Sequence, residues 1–443
     1  VPNIWRITAT DSERDQARAA AMLRQHGLQP GDRVALVLPN SPALLATILG
    51  ALRTGVVPVL LHPGLLPAER RLLLDDAEPA LVIADQRTLD DLLATDTSAD
   101  LADVPLARPM HYTSGTSGRP KGVWSGVLSE ADANNLAADE AGPWSFGELD
   151  HDTTLICSPL YHSAAVRFST MTLLSGGDVL LAGRFDAATV AQAIADHRPT
   201  AAFMVPAHLQ RLFALPPTEQ PPLDSFRLLA HAGAPCPEPL KRQALAAFPP
   251  GTVWEFYGST EGQFTVCSPE DWLTHPGTVG RARPHRTLEI DDGGQVWCAA
   301  PPFARFTYWR DPVKTAAAWR GDAFTVGDLG HLDDDGFLYL DGRREDLIIS
   351  GGVNVYPVEV EHAIARIAGV TEVAVFGVPD ERWGQRVCAA VIGDVVPAAV
   401  LAHLRTNLAG YKCPKDVYVV DDLPRTITGK VRRTAIAATL GLD

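Results

Sequence analysis

The 443-residue sequence predicts an α/β fold with a large N-terminal domain and a small α+β C-terminal domain. The large domain is expected to hold several subdomains with mainly parallel sheets, plus a small antiparallel subdomain. Three observations predict this. Short apolar runs alternate with amphipathic segments up to about residue 258. From about residue 287, Asp/Gly turns replace the helices between apolar runs. A charged, glycine-flanked stretch at 342–352 then leads into a second, shorter alternation. Strands alternating with helices imply a parallel sheet covered by helices, whereas short Asp/Gly turns imply antiparallel hairpins.

In order, Ser12 reads as an N-cap supported by Asp15, opening an alanine-rich helix that Gly27 stops. Residues 33–38 read as a buried strand. Pro42 is a tolerated first-turn residue of a helix reaching Arg53, which Gly55 breaks. Strand returns at 56–61, helix at 69–76 and strand at 81–84. Apolar runs at 155–160, 201–205, 228–230 and 253–256 repeat the strand signal with helical segments between them. Residues 288–297 and 331–340 read as hairpins turning at Asp291–Gly294 and Asp333–Gly336. The Asp333, Asp334 and Asp335 run lacks the alternating ligands and distal Glu of a calcium loop, so it reads as a turn. Beyond the boundary, Pro357 opens a helix to about residue 367. Strands at 372–378 and 386–392, a helix at 397–408 and a strand at 417–420 follow. The expected domains are 1–343 and 344–443.

Bulk composition narrows the function. Hydrophobic content of 46% and charged content of 21% fit a globular chain with ample core, and the length suggests about two to four domains. A net charge of −15 disfavours nucleic-acid binding, which needs a basic footprint. The six cysteines are dispersed without a CxxC pair, which argues against a zinc site or a disulfide scaffold and suits a reducing cytoplasm. Asp11, Glu13 and Arg14 arrive with no apolar run before them, so no secretory leader is expected. No apolar run approaches the roughly 18 residues of a membrane span.

Two loops stand out. Tyr112-Thr113-Ser114-Gly115-Thr116-Ser117-Gly118-Arg119-Pro120-Lys121-Gly122-Val123 packs hydroxyls and glycines into one turn and ends in a lysine. Glycines let backbone N–H groups approach an anion, and hydroxyls and lysine add donors and charge, so a phosphate cradle is the first reading. It is not a Walker A loop, because Pro120 disfavours helix at Arg119 and no Lys-Ser/Thr opens a helix. An ordinary polar turn is the alternative. The second loop, Tyr257-Gly258-Ser259-Thr260-Glu261-Gly262, follows the 253–256 strand, where α/β folds usually bind ligands.

The order of these and later motifs resembles the adenylate-forming superfamily of acyl-CoA synthetases, carrier-protein adenylation domains and luciferases, over roughly residues 12–433. Its further carriers are Pro159-Leu160-Tyr161-His162, Gly233-Ala234-Pro235, Gly327-Asp328-Leu329-Gly330, Asp341-Gly342-Arg343, residues 350–361 and Pro424-Arg425-Thr426-Ile427-Thr428-Gly429-Lys430. His231-Ala232-Gly233-Ala234-Pro235-Cys236-Pro237 and Leu160-Tyr161-His162 look most like the acyl- and aryl-CoA synthetase branch.

The resemblance implies two half-reactions. A carboxylate attacks the α-phosphate of Mg·ATP, giving an acyl adenylate and pyrophosphate. A thiol then attacks the acyl carbonyl and expels AMP. ATP, Mg²⁺ and coenzyme A are the implied cofactor and co-substrates. The implied partners are a carboxylic acid and CoA or a carrier protein, in a monomer or homodimer. By resemblance, Thr113, Ser114, Gly115, Thr116, Ser117, Gly118 and Lys121 cradle the phosphates, with Thr116 also near the metal that Glu261 holds. Tyr257 stacks on adenine, Gly233, Ala234 and Pro235 line it, and Gly258 and Thr260 complete that side. Asp328 and Arg343 serve the ribose and phosphates. Lys430 contacts the reacting carboxylate and α-phosphate. His162 gates the acyl and thiol sites, and Val205, His208, Ala232, Gly258 and Gln263 position the acid. Gly351 and Gly352 line the pantetheine tunnel, and Glu345 marks the hinge of a mobile C-terminal lid, where Asp is more usual. Two other readings stand beside CoA ligation: delivery to a carrier-protein pantetheine or other nucleophile, and a non-catalytic nucleotide-binding relative.

Overall fold

Helix Pro42–Arg53 starts where local chemistry requires. Ser41 Oγ accepts from Leu44 N at 3.1 Å, and Pro42 occupies a first-turn position that needs no N–H donor. The preceding helix, Ala9–Gln25, corrects an expectation. Its N-cap is Thr8, whose hydroxyl accepts from Asp11 N, while Ser12 is buried within the helix and accepts from Gln16 Nε2 at 2.9 Å. Thr8 has the extended backbone a cap needs (ψ 153°). The structure is a computed structural model that describes residues 4–94, 97–113, 121–141, 152–343, 346–350, 353–380, 382–426 and 431–442.

The described chain forms two compact units. One takes in the chain up to Cys236 with Leu240–Thr287 and Cys298–Phe324; the other takes in Pro237–Pro239, Leu288–Trp297 and the chain from Thr325 onward. The first unit contains two large sheets. In the eight-stranded sheet the order is Ile4–Ile7, Asp178–Ala182, Thr153–Ile156, Ala201–Met204, Leu228–His231, Val253–Gly258, Gln263–Cys267, Arg281–Ala282. Its middle five strands are parallel, and its edges are antiparallel. The six-stranded sheet runs Thr307–Tyr308, Lys121–Trp124, Met110–Thr113, Val57–Leu60, Arg33–Leu36, Leu81–Ile83.

One hydrophobic core joins these sheets, from Val34, Leu36 and Val59 to Ile156, Phe203 and Phe256. A buried asparagine pins them. Asn40 Nδ2 donates to Ser158 O at 3.2 Å and Ala182 O at 2.8 Å, and Asn40 Oδ1 accepts from Leu160 N at 2.7 Å. Pairing buried backbone groups in this way offsets the cost of taking them out of water.

Two differences bear on the site. The strands that flank the glycine-rich segment pair antiparallel, with Thr113 opposite Lys121 and His111 opposite Val123, so Lys121 is a strand residue. Strand Val253–Gly258 runs two residues further than expected, because Gln263–Cys267 pairs back along it and draws Tyr257 and Gly258 into the ladder.

In the second unit, Asp328–Leu332 pairs with Leu338–Arg343 across the expected turn. Asp333 Oδ1 accepts from Asp335 N at 3.1 Å and Phe337 N at 2.8 Å, which explains that carboxylate as a turn residue. The other hairpin turn closes through Asp291 N to Gln295 O at 3.1 Å. Strands Ile348–Ser350, Val353–Val355, Val370–Asp380, Gly384–Gly393 and Asp416–Val419 form the unit's five-stranded sheet. Helices Pro357–Ala365 and Pro397–Asn407 supply Val360, Ile364, Val400 and Leu404 to its core. Strand Ile4–Ile7 and helices Gln86–Leu93, Glu130–Ala141 and Arg433–Thr439 were not expected from the sequence. No helix among the described residues is long and apolar enough to cross a membrane.

Candidate active site

Glu261 sits in a turn that only small neighbours permit. Ser259 N donates to Gly262 O at 2.8 Å, and Glu261 N donates to Ser259 Oγ at 3.2 Å. A Cβ on Gly262 would lie 2.5 Å from Phe324 Cζ, and one on Gly258 would lie 2.9 Å from Gly262 O. The turn holds Glu261 with only 7% of its surface exposed. Tyr308 Oη donates to Glu261 Oε1 at 3.0 Å. Burial, then the Glu261 charge, raises the Tyr308 phenol far above its ordinary range, so the O–H stays intact as donor.

Tyr308 also reaches the glycine-rich hairpin. It lies opposite Val123 in the ladder, and Lys121 Nζ sits 4.7 Å from its ring centroid. Tyr308 therefore links the lysine of one predicted loop to the carboxylate of the other. Sequence reasoning missed it because Thr307–Tyr308 is a two-residue strand, too short to show any periodicity.

The donor chemistry at Glu261 fits a divalent cation. A buried carboxylate offers hard oxygen, and no Lys, Arg or His pairs with it among the described residues. No cluster of three or more His, Cys, Asp or Glu forms a full metal cage among the described residues. A buried carboxylate oxygen suits Mg²⁺, which takes one or two carboxylates and completes its shell with phosphates and water.

The expected nucleobase residues emerge from neighbouring parallel strands. Gly233, Ala234 and Pro235 follow Leu228–His231 and are exposed, whereas Tyr257 and Thr260 are half-buried. Gly233 has φ +91°, a conformation that favours glycine, and faces Val205. The Tyr257 ring lies 4.8 Å from Phe264.

The expected acid-side residues also gather in this unit. Ala232 is buried, Val205 is half-buried, and Gly258 is paired with Gln263. The His208 ring stacks on Phe185 at 4.2 Å. Burial, aided by the charges of Arg211 and His162, brings His208 down to about 4, so its imidazole is neutral at ordinary pH. His162 caps helix Ser163–Leu174, and its ring lies 4.7 Å from Tyr161, itself 4.6 Å from His62. Arg283, a second residue the sequence did not flag, donates to Gln263 Oε1. Burial pushes this guanidinium down to about 9.

In the second unit, Asp328 and Arg343 lie directly opposite one another, and Asp328 is buried. Ser114, Gly115, Thr116, Ser117, Gly118, Glu345, Gly351, Gly352 and Lys430 lie outside the described residues. The segments flanking Lys430 are anchored: Arg425 bridges Val431, and Arg432 N donates to Pro424 O at 2.7 Å. Arg433 pairs with Asp346 at 2.7 Å and Glu361 at 2.8 Å.

The chain belongs to the AMP-binding enzyme family, whose model matches residues 4–299, and the family's C-terminal domain matches residues 359–430. Within it, the chain is an AMP-forming ligase of the acid–CoA class. It is 33% identical to the indoleacetate–CoA ligase of Aromatoleum aromaticum, over 94% of this chain and 90% of that relative. Its fold superposes on o-succinylbenzoate CoA synthetase (MenE) of Bacillus subtilis, solved with an acyl-adenylate intermediate (TM-score 0.83, 28% identity, 96% and 92% of the two chains). The same enzyme has been solved with ATP and a magnesium ion (TM-score 0.82, 27% identity, 96% and 94%). The amide bond synthetase McbA of Marinactinospora thermotolerans is similar to a comparable degree (TM-score 0.83, 27% identity, 97% and 94%).

Proposed function

We propose that this ligase activates a carboxylic acid with Mg·ATP and passes the acyl group to the thiol of coenzyme A. In the first half-reaction a carboxylate oxygen attacks the α-phosphorus, and the bond to pyrophosphate breaks. In the second, the thiol sulfur attacks the acyl carbonyl and AMP leaves with the bonding pair. Phosphoryl transfer asks the protein for positioning and for positive charge where negative charge develops. The observation that carries the reading is the Lys121–Tyr308–Glu261 connection, which joins the glycine-rich hairpin to a buried, cation-compatible carboxylate.

In this reading Thr113, Lys121 and the 114–118 segment hold the leaving pyrophosphate. Glu261, with Thr116, holds Mg²⁺, which supplies charge neutralisation to the phosphate oxygens. Tyr308 orients Glu261 by holding Oε1. Tyr257 and residues 233–235 take the adenine, Asp328 and Arg343 the ribose and phosphates. His162 and a neutral His208 border the acid. Lys430 supplies positive charge to the attacking carboxylate and α-phosphate. It belongs to the proposed mobile domain 344–443, with a hinge near Glu345 and a pantetheine path past Gly351 and Gly352. A hinge lets one domain serve both half-reactions in turn.

Acid-dependent pyrophosphate exchange tests the reading. Lys430→Ala is expected to abolish exchange while ATP still binds by calorimetry; unchanged exchange would refute Lys430's role. A panel of carboxylic acids identifies the substrate. Similarity to an amide bond synthetase supports a second reading, in which the acyl adenylate meets an acceptor other than CoA. Parallel product assays with CoA, amines and a carrier-protein pantetheine separate the two.

A further inference from the structure

Beneath the two strands that lead to the proposed nucleobase site lies a buried polar triad outside the mechanism above. His231 ends strand Leu228–His231, and Glu255 stands directly opposite it on the parallel strand Val253–Gly258. Lys241, from helix Glu238–Ala247, is wholly buried and reaches both. Its Nζ lies 2.5 Å from His231 Nε2 and 3.1 Å from Glu255 Oε2, with the Trp272 ring centroid at 5.8 Å.

An ammonium beside a carboxylate offers only donors, so His231 Nε2 accepts and the ring proton sits on Nδ1, which is buried without a hydrogen-bond partner among the described residues. Burial, then the Lys241 charge, drives His231 well below its ordinary value and keeps the ring neutral. Burial raises the Glu255 carboxyl, and Lys241 opposes that rise. One positive and one negative charge cancel, which is the condition for leaving such groups in a core.

Stability alone gives a weak reason for this arrangement. A buried ion pair is often no more stabilising than apolar side chains of similar volume. What the triad does provide is a fixed spacing between two strand ends, because three hydrogen-bonding groups from three elements meet at one point. One residue past His231 begins 232–235; one residue past Glu255 comes Phe256, then Tyr257 and Gly258. Residues 233–235 and Tyr257 are those assigned above to adenine, while Ala232 and Gly258 border the acid.

We propose that Lys241 is a positioning residue for the nucleotide, setting the gap between 233–235 and Tyr257 and so the affinity and base preference for ATP. The inference rests on the adenine-site reading above. The double variant Lys241→Met/Glu255→Gln removes both charges together, so neither is left buried alone. It is expected to melt near the wild-type temperature and to bind ATP at least about tenfold more weakly (about 1.4 kcal/mol) by calorimetry. Its preference for ATP over GTP, as kcat/KM in pyrophosphate exchange, is expected to fall similarly, while KM for the acid, which the adjoining Ala232 and Gly258 border, changes by a smaller factor than ATP affinity. Lys241→Gln/Glu255→Gln also leaves no buried charge and keeps an amide donor for His231 Nε2; it is expected to shift the same ratios less and carries the test if the first double variant does not fold.

Wild-type ATP affinity and ATP:GTP preference in either folded variant would overturn the proposal. So would an equal loss in ATP affinity, acid KM and melting temperature, which marks a purely structural role. If the wild type binds ATP in preference to GTP but no acid supports exchange, the ligase reading fails while calorimetry still decides the role of Lys241.

Discussion

Tyr308→Phe isolates the hydroxyl that connects the two loops. The ring remains, and with it the Lys121 contact and the strand pairing opposite Val123. Only the Oη–H donated to Glu261 Oε1 at 3.0 Å is lost. A hydrogen bond to a charged group contributes about 1.5–3 kcal/mol, and losing the partner that orients a metal-binding carboxylate typically costs about 10- to 100-fold in affinity or activity. Both scales point to a drop of one to two orders of magnitude in kcat/KM for pyrophosphate exchange. The half-saturating Mg²⁺ concentration should rise with it, because Glu261 would no longer be held in one rotamer. Exchange measured across a magnesium titration, with a melting curve on the same samples, reads both effects. Unchanged exchange and magnesium dependence in a folded variant would refute the assignment of Tyr308 as an orienting residue. A lower melting temperature with normal magnesium dependence would assign it to packing alone.

Gly262→Ala should disturb the same carboxylate from the other side. Its Cβ would meet Phe324 at 2.5 Å, so the 259–262 turn or the ring must shift; at least about tenfold lower exchange in a folded protein is expected, from misplacement alone. His111 makes stability depend on pH. Its Nδ1 lies 3.0 Å from Tyr161 O and so carries the proton, and burial brings the ring from 6.5 down to about 4. Between those values the unfolded chain binds more protons, so stability present above pH 6.5 is lost as pH falls toward 4. The full loss from this residue is about 3 kcal/mol, and urea unfolding of His111→Leu should show a correspondingly flatter acid limb.

Much of the first unit could be read in advance, because a buried parallel strand is a short apolar run and its helices carry their own start signals. Pro42 is such a signal, and the helix starts there. The first helix shows the limit of that logic. The expectation of Ser12 passes over Thr8, which stands the same three residues before Asp11 as Ser12 does before Asp15. Backbone conformation chose Thr8, since burying Ser12 one turn later leaves it helical. Lys121 was assigned to a loop because glycine and proline dominate its neighbourhood. The ladder with Met110–Thr113 makes it a strand residue, and pairing across a hairpin has no local signature when the turn between is long.

The amino-acid sequence by itself determined the fold class and much of the alternation of strands and helices, and it marked the side chains whose chemistry is proposed to act. Residue type, apolar period and turn composition are local properties and survive in one dimension. Only the tertiary structure decided what holds those side chains. Tyr308 on Glu261, Arg283 on Gln263, Asn40 between the sheets and Lys241 between two strand ends are all contacts between separate elements, from 14 to 120 positions apart in the chain. Each joins buried polar groups that must find a partner once water is removed, and which partner they find is a property of packing that no window of sequence contains.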